Sequence, residues 1–170
     1  MQTTSVKLYS LRYDSAKTYL AATVFIIENI LLPQLCHAVP QGGVRLLPIY
    51  FFTLVGAYKY GWRVGVLTAV LSPIINSTLF GMPAFEALPA ILLKSMLLAG
   101  AAGAVSSRYN RVSLLLMAGV VLFYQTFGTL CEWVMKGDLM LALQDLRIGL
   151  PGILLQIFGG WAVIRYLLRK

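Results

Sequence analysis

A lysine at position 94 interrupts an otherwise apolar run, Ala87–Val105, close to its middle. An ammonium at that depth of a membrane-length helix is costly unless it meets a partner or water, so Lys94 is a candidate functional residue. Two uses fit it. It can form a buried ion pair, with Glu28 as the obvious partner because that is the only other charge set so deep in an apolar run. It can instead receive an anionic group of a ligand, and the two uses are compatible if Glu28 neutralises Lys94 until the ligand arrives. Glu86 and Ala90 precede Lys94 at four-residue steps, which predicts one helical stripe descending to the lysine as a pocket wall.

Further polar groups recur at a similar depth: Asn29, Gln34, Asn76, Ser77, Gln125, Thr129, Glu132 and Gln156. Singly, each is accounted for by a hydrogen bond between helices. Their shared depth, with Tyr50, Phe51, Phe80, Phe85, Tyr124, Phe127 and Trp133 nearby, describes a small-molecule site in which Lys94, Asn76, Glu86, Gln125, Glu132, Gln156, His37 and Asn29 are the expected contacts. His37, the single histidine, stands beside Cys36, Pro40 and Gln41 and is read as a loop residue that helps to cover a ligand. That neighbourhood is too poor in ligands for zinc. No Ser/His/Asp set, His-x-x-Glu-His helix, phosphate-cradling loop or paired catalytic carboxylates can be assembled. No catalytic residue, metal site or cofactor is therefore assigned, and an enzyme is not expected.

These residues must be positioned by helices in lipid. Of the 170 residues, 59% are hydrophobic and 12% charged, a composition that would leave a soluble globule with too much apolar surface. Apolar runs at 18–37, 46–58, 64–80, 87–105, 113–134 and 148–168 predict an all-α integral membrane protein, a single domain over residues 1–170 built as a compact bundle of six transmembrane helices. The second run is the shortest and opens on Arg45 and Pro48, so a tilted or re-entrant element, with five spans, is the fallback.

A net charge of +8 raises the question of nucleic acid, but the basic residues are spaced singly between apolar runs. They sort by side instead. Lys7, Arg12, Lys17, Lys59, Arg63, Arg108, Arg111, Arg165, Arg169 and Lys170 fall on one side, and only Arg45, Lys136 and Arg147 on the other. The positive-inside rule then places both termini in the cytoplasm. Glu86, Glu132, Asp138 and Asp145 collect at the outer side, so a binding mouth is expected to open outward. Gly137–Arg147 is too short to span and is expected as a brief helix on the outer surface. Cys36 and Cys131 are read as free thiols.

One stretch resembles a known family: Leu47-Pro48-Ile49 through Gly56, then Tyr60-Gly61 and Gly65, Leu71-Ser72-Pro73-Ile74-Ile75-Asn76, and Gly81-Met82-Pro83 followed by Leu88-Pro89. It is similar to the substrate-binding S-components of energy-coupling factor transporters, in the broad group that includes pantothenate, folate and cobalamin binders. The likeness covers about 46–107, and the rest matches by helix count and topology. It implies a six-helix bundle in a bacterial or archaeal cytoplasmic membrane that binds a vitamin-like solute from outside. It also implies partners, namely a transmembrane coupling protein and two ATP-hydrolysing subunits, and closure of the mouth by the loops after helices one, three and five, here 38–44, 81–85 and 135–145.

The chain departs from that pattern twice. The family's Ala-x-x-x-Ala docking surface on helix one is replaced by Thr18-x-x-x-Ala22, with Ser15 ahead of it. Where related sequences place an acidic residue, this one has Lys94, which shifts the expected solute toward a carboxylate-bearing one. Two other classes stay open: a membrane assembly or scaffold protein, and a small proton-coupled carrier using Glu28 and Lys94 as a relay.

Overall fold

The structure, a computed structural model, describes residues 6–36, 38 and 40–168. Among these the regular elements are all helical. They are α1 (Ala16–Cys36), α2 (Gly42–Leu46), α3 (Pro48–Tyr60), α4 (Trp62–Phe80), α5 (Leu88–Tyr109, entered through a 3₁₀ turn at Phe85–Ala87), α6 (Leu114–Lys136), α7 (Leu139–Ala142), α8 (Gln144–Arg147) and α9 (Leu150–Leu167), which contains wide π-type turns. The expected surface helix after α6 is thus two single turns, α7 and α8.

Among the described residues, five helices are long and apolar enough to cross a membrane: α1, α4, α5 with its entry turn, α6 and α9. The expected second span falls short of that length, because α3 has 13 residues and rises only about 20 Å. It nevertheless links the two ends of the bundle. Tyr50, near its start, lies beside Lys94 and Asp145, whereas the Tyr58 hydroxyl near its end donates to the Arg111 carbonyl at 2.8 Å. Eleven of its residues are buried, and it packs against α1, α4, α5 and α9 as the core of the bundle.

Polarity is arranged from the inside out. On α1, Leu20, Val24, Ile27, Leu31 and Leu35 form an exposed apolar stripe at helical spacing. The opposite stripe, Thr18, Ala22, Phe25, Asn29 and Pro33, is buried. Thr53, Thr68, Ser72, Asn76, Lys94, Gln125 and Gln156 are likewise enclosed by the bundle. Apolar outward and polar inward is the economical arrangement for helices whose solvent is hydrocarbon.

Small residues set the closest helix approaches. A Cβ at Gly103 would come within 2.4 Å of Trp62 Cβ, fixing the α4–α5 contact, and one at Gly65 would come within 2.3 Å of Ala57 Cβ, fixing α3–α4. A Cβ at Gly100, also on α5, would meet nothing within 4 Å among the described residues. Cys36 and Cys131 are free. The inward-facing Thr18 and Ala22 are 0% and 3% exposed, so the expected docking pair is buried within the bundle, and of the three expected docking residues Ser15 alone keeps partial exposure.

Candidate functional site

At the end of the bundle opposite Arg108 and Arg111, a cavity of about 330 Å³ lies between α3, α5 and α6 under three loops. Each loop is positioned by an identifiable stop signal. Gly81 ends α4 in the left-handed conformation, its N–H bonding to the Ser77 carbonyl, and Met82, Pro83 and Ala84 then turn over the cavity. Gly137 ends α6 in the same way, and Asp138 caps α7 by accepting from the backbone N–H groups of Met140 and Leu141 at 2.8 and 3.2 Å. That sequence of caps carries Gln144 and Asp145 back over the cavity. Gly43 and Val44 come from α2, and Leu47, held in the left-handed region at φ 48°, makes the corner that lets both it and Pro48 line the wall.

Lys94, 1% exposed, forms the polar floor. Its Nζ donates to Glu132 Oε2 at 2.5 Å and to Asp145 Oδ2 at 2.8 Å, and Lys136 Nζ donates to Glu132 Oε1 at 2.6 Å. The lysine reaches α6 because residue 128 is glycine, and a Cβ there would stand 2.5 Å from Lys94 Cγ. Two ammonium and two carboxylate groups are thereby joined, which is how charges persist where water is scarce. The remaining wall is mostly apolar and includes Pro33, Leu47, Ile49, Tyr50, Ala90 and Ile91.

Of the residues expected at the site, Lys94 and Glu132 meet in the cavity. The expected Lys94–Glu28 pair does not form. Glu28 lines a separate cavity of about 580 Å³ with Lys17, Phe25 and Tyr60, and the carboxylates that neutralise Lys94 come from α6 and α8. Ala90 and Lys94 of the expected stripe line the cavity, but Glu86 is exposed and outside it, because in the 3₁₀ entry turn Ala87 takes the lining position.

Asn29 and Asn76 serve as cross-braces instead. Asn29 Nδ2 donates to the Ile49 carbonyl, Thr53 Oγ1 and Ser72 Oγ at 2.8, 3.0 and 3.1 Å, and Asn76 Nδ2 donates to the Asn29 carbonyl at 2.9 Å. These bonds tie α1 to α3 and α4. Gln125 and Gln156 are buried in the bundle beyond the lining. The Tyr124 hydroxyl donates to Gln156 Oε1 at 2.7 Å, while both amide atoms of Gln125 and the Thr129 hydroxyl, one turn along α6 from each other, have no partner among the described residues. His37 lies outside the described residues.

Asp145, Lys136 and Gln144 are the contacts that the sequence reading missed. The available signal was a lone carboxylate within a leucine-rich segment, Leu139–Leu146, but only the backward turn of α7 and α8 brings it to Lys94. As built, the site can enclose a small, largely apolar molecule and hold its polar end on an ion-pair network. Comparison of the chain with protein-family models, with curated proteins and with solved structures finds no match.

Proposed function

We propose that this protein is a solute-binding membrane subunit of an uptake system, built like the S-components that it resembles, and that a vitamin-like micronutrient enters its cavity from outside the cell. The observation that carries this reading is that all three loops expected to close the mouth contribute to one cavity: Gly43 and Val44, Met82 to Ala84, and Gln144 with Asp145. A cavity of about 330 Å³ with apolar walls and a polar floor falls in the size range of small-molecule sites. In this reading α3 is a sixth, shortened crossing, both termini are cytoplasmic, and the cavity opens on the acidic outer side. Transport itself would depend on a separate coupling protein and two ATPase subunits. A proton relay through Glu28 and Lys94 is disfavoured because the two groups line different cavities.

The test is to purify the protein in mild detergent from cells grown in rich medium and to identify any retained metabolite by native mass spectrometry. One small molecule at near-unit stoichiometry, with uptake abolished in cells lacking the coupling protein, is the expected result. Absence of a retained molecule, or uptake that persists without that partner, would reject the proposal.

A further inference from the structure

Resting on the solute-binding reading, the charge arrangement points to the kind of solute. Lys94 was expected to serve as counter-ion to an anion, but two of its N–H donors are already spent on Glu132 and Asp145. Among the described residues, the charged side chains lining the cavity are two ammonium groups, Lys94 and Lys136, and two carboxylates, Glu132 and Asp145. Their sum is zero.

An anion seated on the third N–H of Lys94 would place three negative groups around two positive ones, beside carboxylates that are themselves only 10% exposed at Glu132 and 20% at Asp145. A cation on Asp145 would create the opposite excess. Either imbalance is expensive where water is scarce, whereas a neutral group that both donates and accepts can join the network without breaking it. Gln144, which lines the cavity beside Asp145, is uncharged and can both donate and accept. The apolar wall formed by Pro33, Leu47, Ile49, Tyr50 and Ile91 fits an aromatic or aliphatic body.

We infer that the cavity takes a neutral solute: an apolar body ending in a hydrogen-bonding head such as an amide, a lactam or a ring that pairs N–H with C=O, seated on the Lys94–Glu132–Asp145 network. Asp145 is the specificity-determining residue in this arrangement. Its carboxylate both satisfies Lys94 and excludes competing anions.

The experiment uses three probes of nearly equal size, benzamide, benzoate and benzylammonium, with affinities measured by titration calorimetry on the full chain in nanodiscs. The wild type is expected to favour benzamide over each charged probe by about tenfold, a difference of about 1.4 kcal/mol. Asp145→Asn leaves Lys94 with Glu132 but gives the cavity a net positive charge, so the benzoate-to-benzamide affinity ratio is expected to rise about tenfold. Wild-type-like melting of the unliganded variant would show that it folds. A wild type that prefers benzoate or benzylammonium overturns the neutral-solute inference while leaving solute binding intact. Binding of none of the three overturns this inference, and the solute-binding reading then stands or falls on the retained-metabolite experiment alone. A benzoate-to-benzamide ratio unchanged in Asp145→Asn removes Asp145 from its assigned role.

Discussion

Gly128 illustrates how much of this site depends on one missing methyl group. Lys94 spans from α5 to Glu132 on α6 only because its stem lies across the glycine, at a distance that a Cβ would reduce to 2.5 Å. Gly128→Ala would gain helix propensity for α6 but force the lysine stem aside, with the backbone of two packed helices resisting the shift. The expected result is a net loss of about 1–3 kcal/mol, read as a lower melting temperature in detergent, together with weaker solute retention. An unchanged melting temperature would mean that Lys94 has room to reroute. The same logic explains why a residue-by-residue reading paired Lys94 with Glu28: depth in the sequence is visible, but the azimuth of a side chain around its helix relative to a partner helix is not.

At the scale of elements, the asparagines show that a buried polar residue need not belong to the binding site. Asn29 places one amide group against α3 and α4 simultaneously, and Asn76 returns a bond to the Asn29 carbonyl. Asn29→Leu is expected to destabilise the fold by about 1–2 kcal/mol, since such interhelical bonds are individually modest in lipid. Solute affinity should change less than twofold in protein that remains folded, because Asn29 does not line the cavity. Calorimetry alongside a melting curve separates these effects, and loss of affinity without loss of stability would return Asn29 to the site. The short α3 follows from similar reasoning. A helix surrounded by α1, α4, α5 and α9 need not match the hydrocarbon thickness by itself, because its neighbours rather than lipid cover its ends.

For the whole molecule, the basic and acidic ends predict a single orientation. In a background carrying Cys36→Ala and Cys131→Ala, a cysteine replacing Met140, on α7, should react with a membrane-impermeant maleimide applied to intact cells. One replacing Arg108, at the end of α5, should react only after the cells are opened. Both positions are exposed, so accessibility within the fold does not limit either reaction. Reversal of the pattern would invert the protein and put the cavity mouth on the cytoplasmic side.

Readable along the chain were the helical class, the positions of the long elements to within a few residues, the uneven spacing of charge and the depth of Lys94 in an apolar run. Each of these depends on local composition or on a helical period, and both are written along the chain. Packing in three dimensions was needed to show that α3 is the enclosed core, that Asn29 and Asn76 brace helices, that Glu86 stands outside the cavity, and that Asp145 folds back onto Lys94. The Lys94–Asp145 bond joins residues 51 positions apart through two helix caps and a pair of single-turn helices. No periodicity encodes such a contact, because it depends on the summed directions of the turns between them.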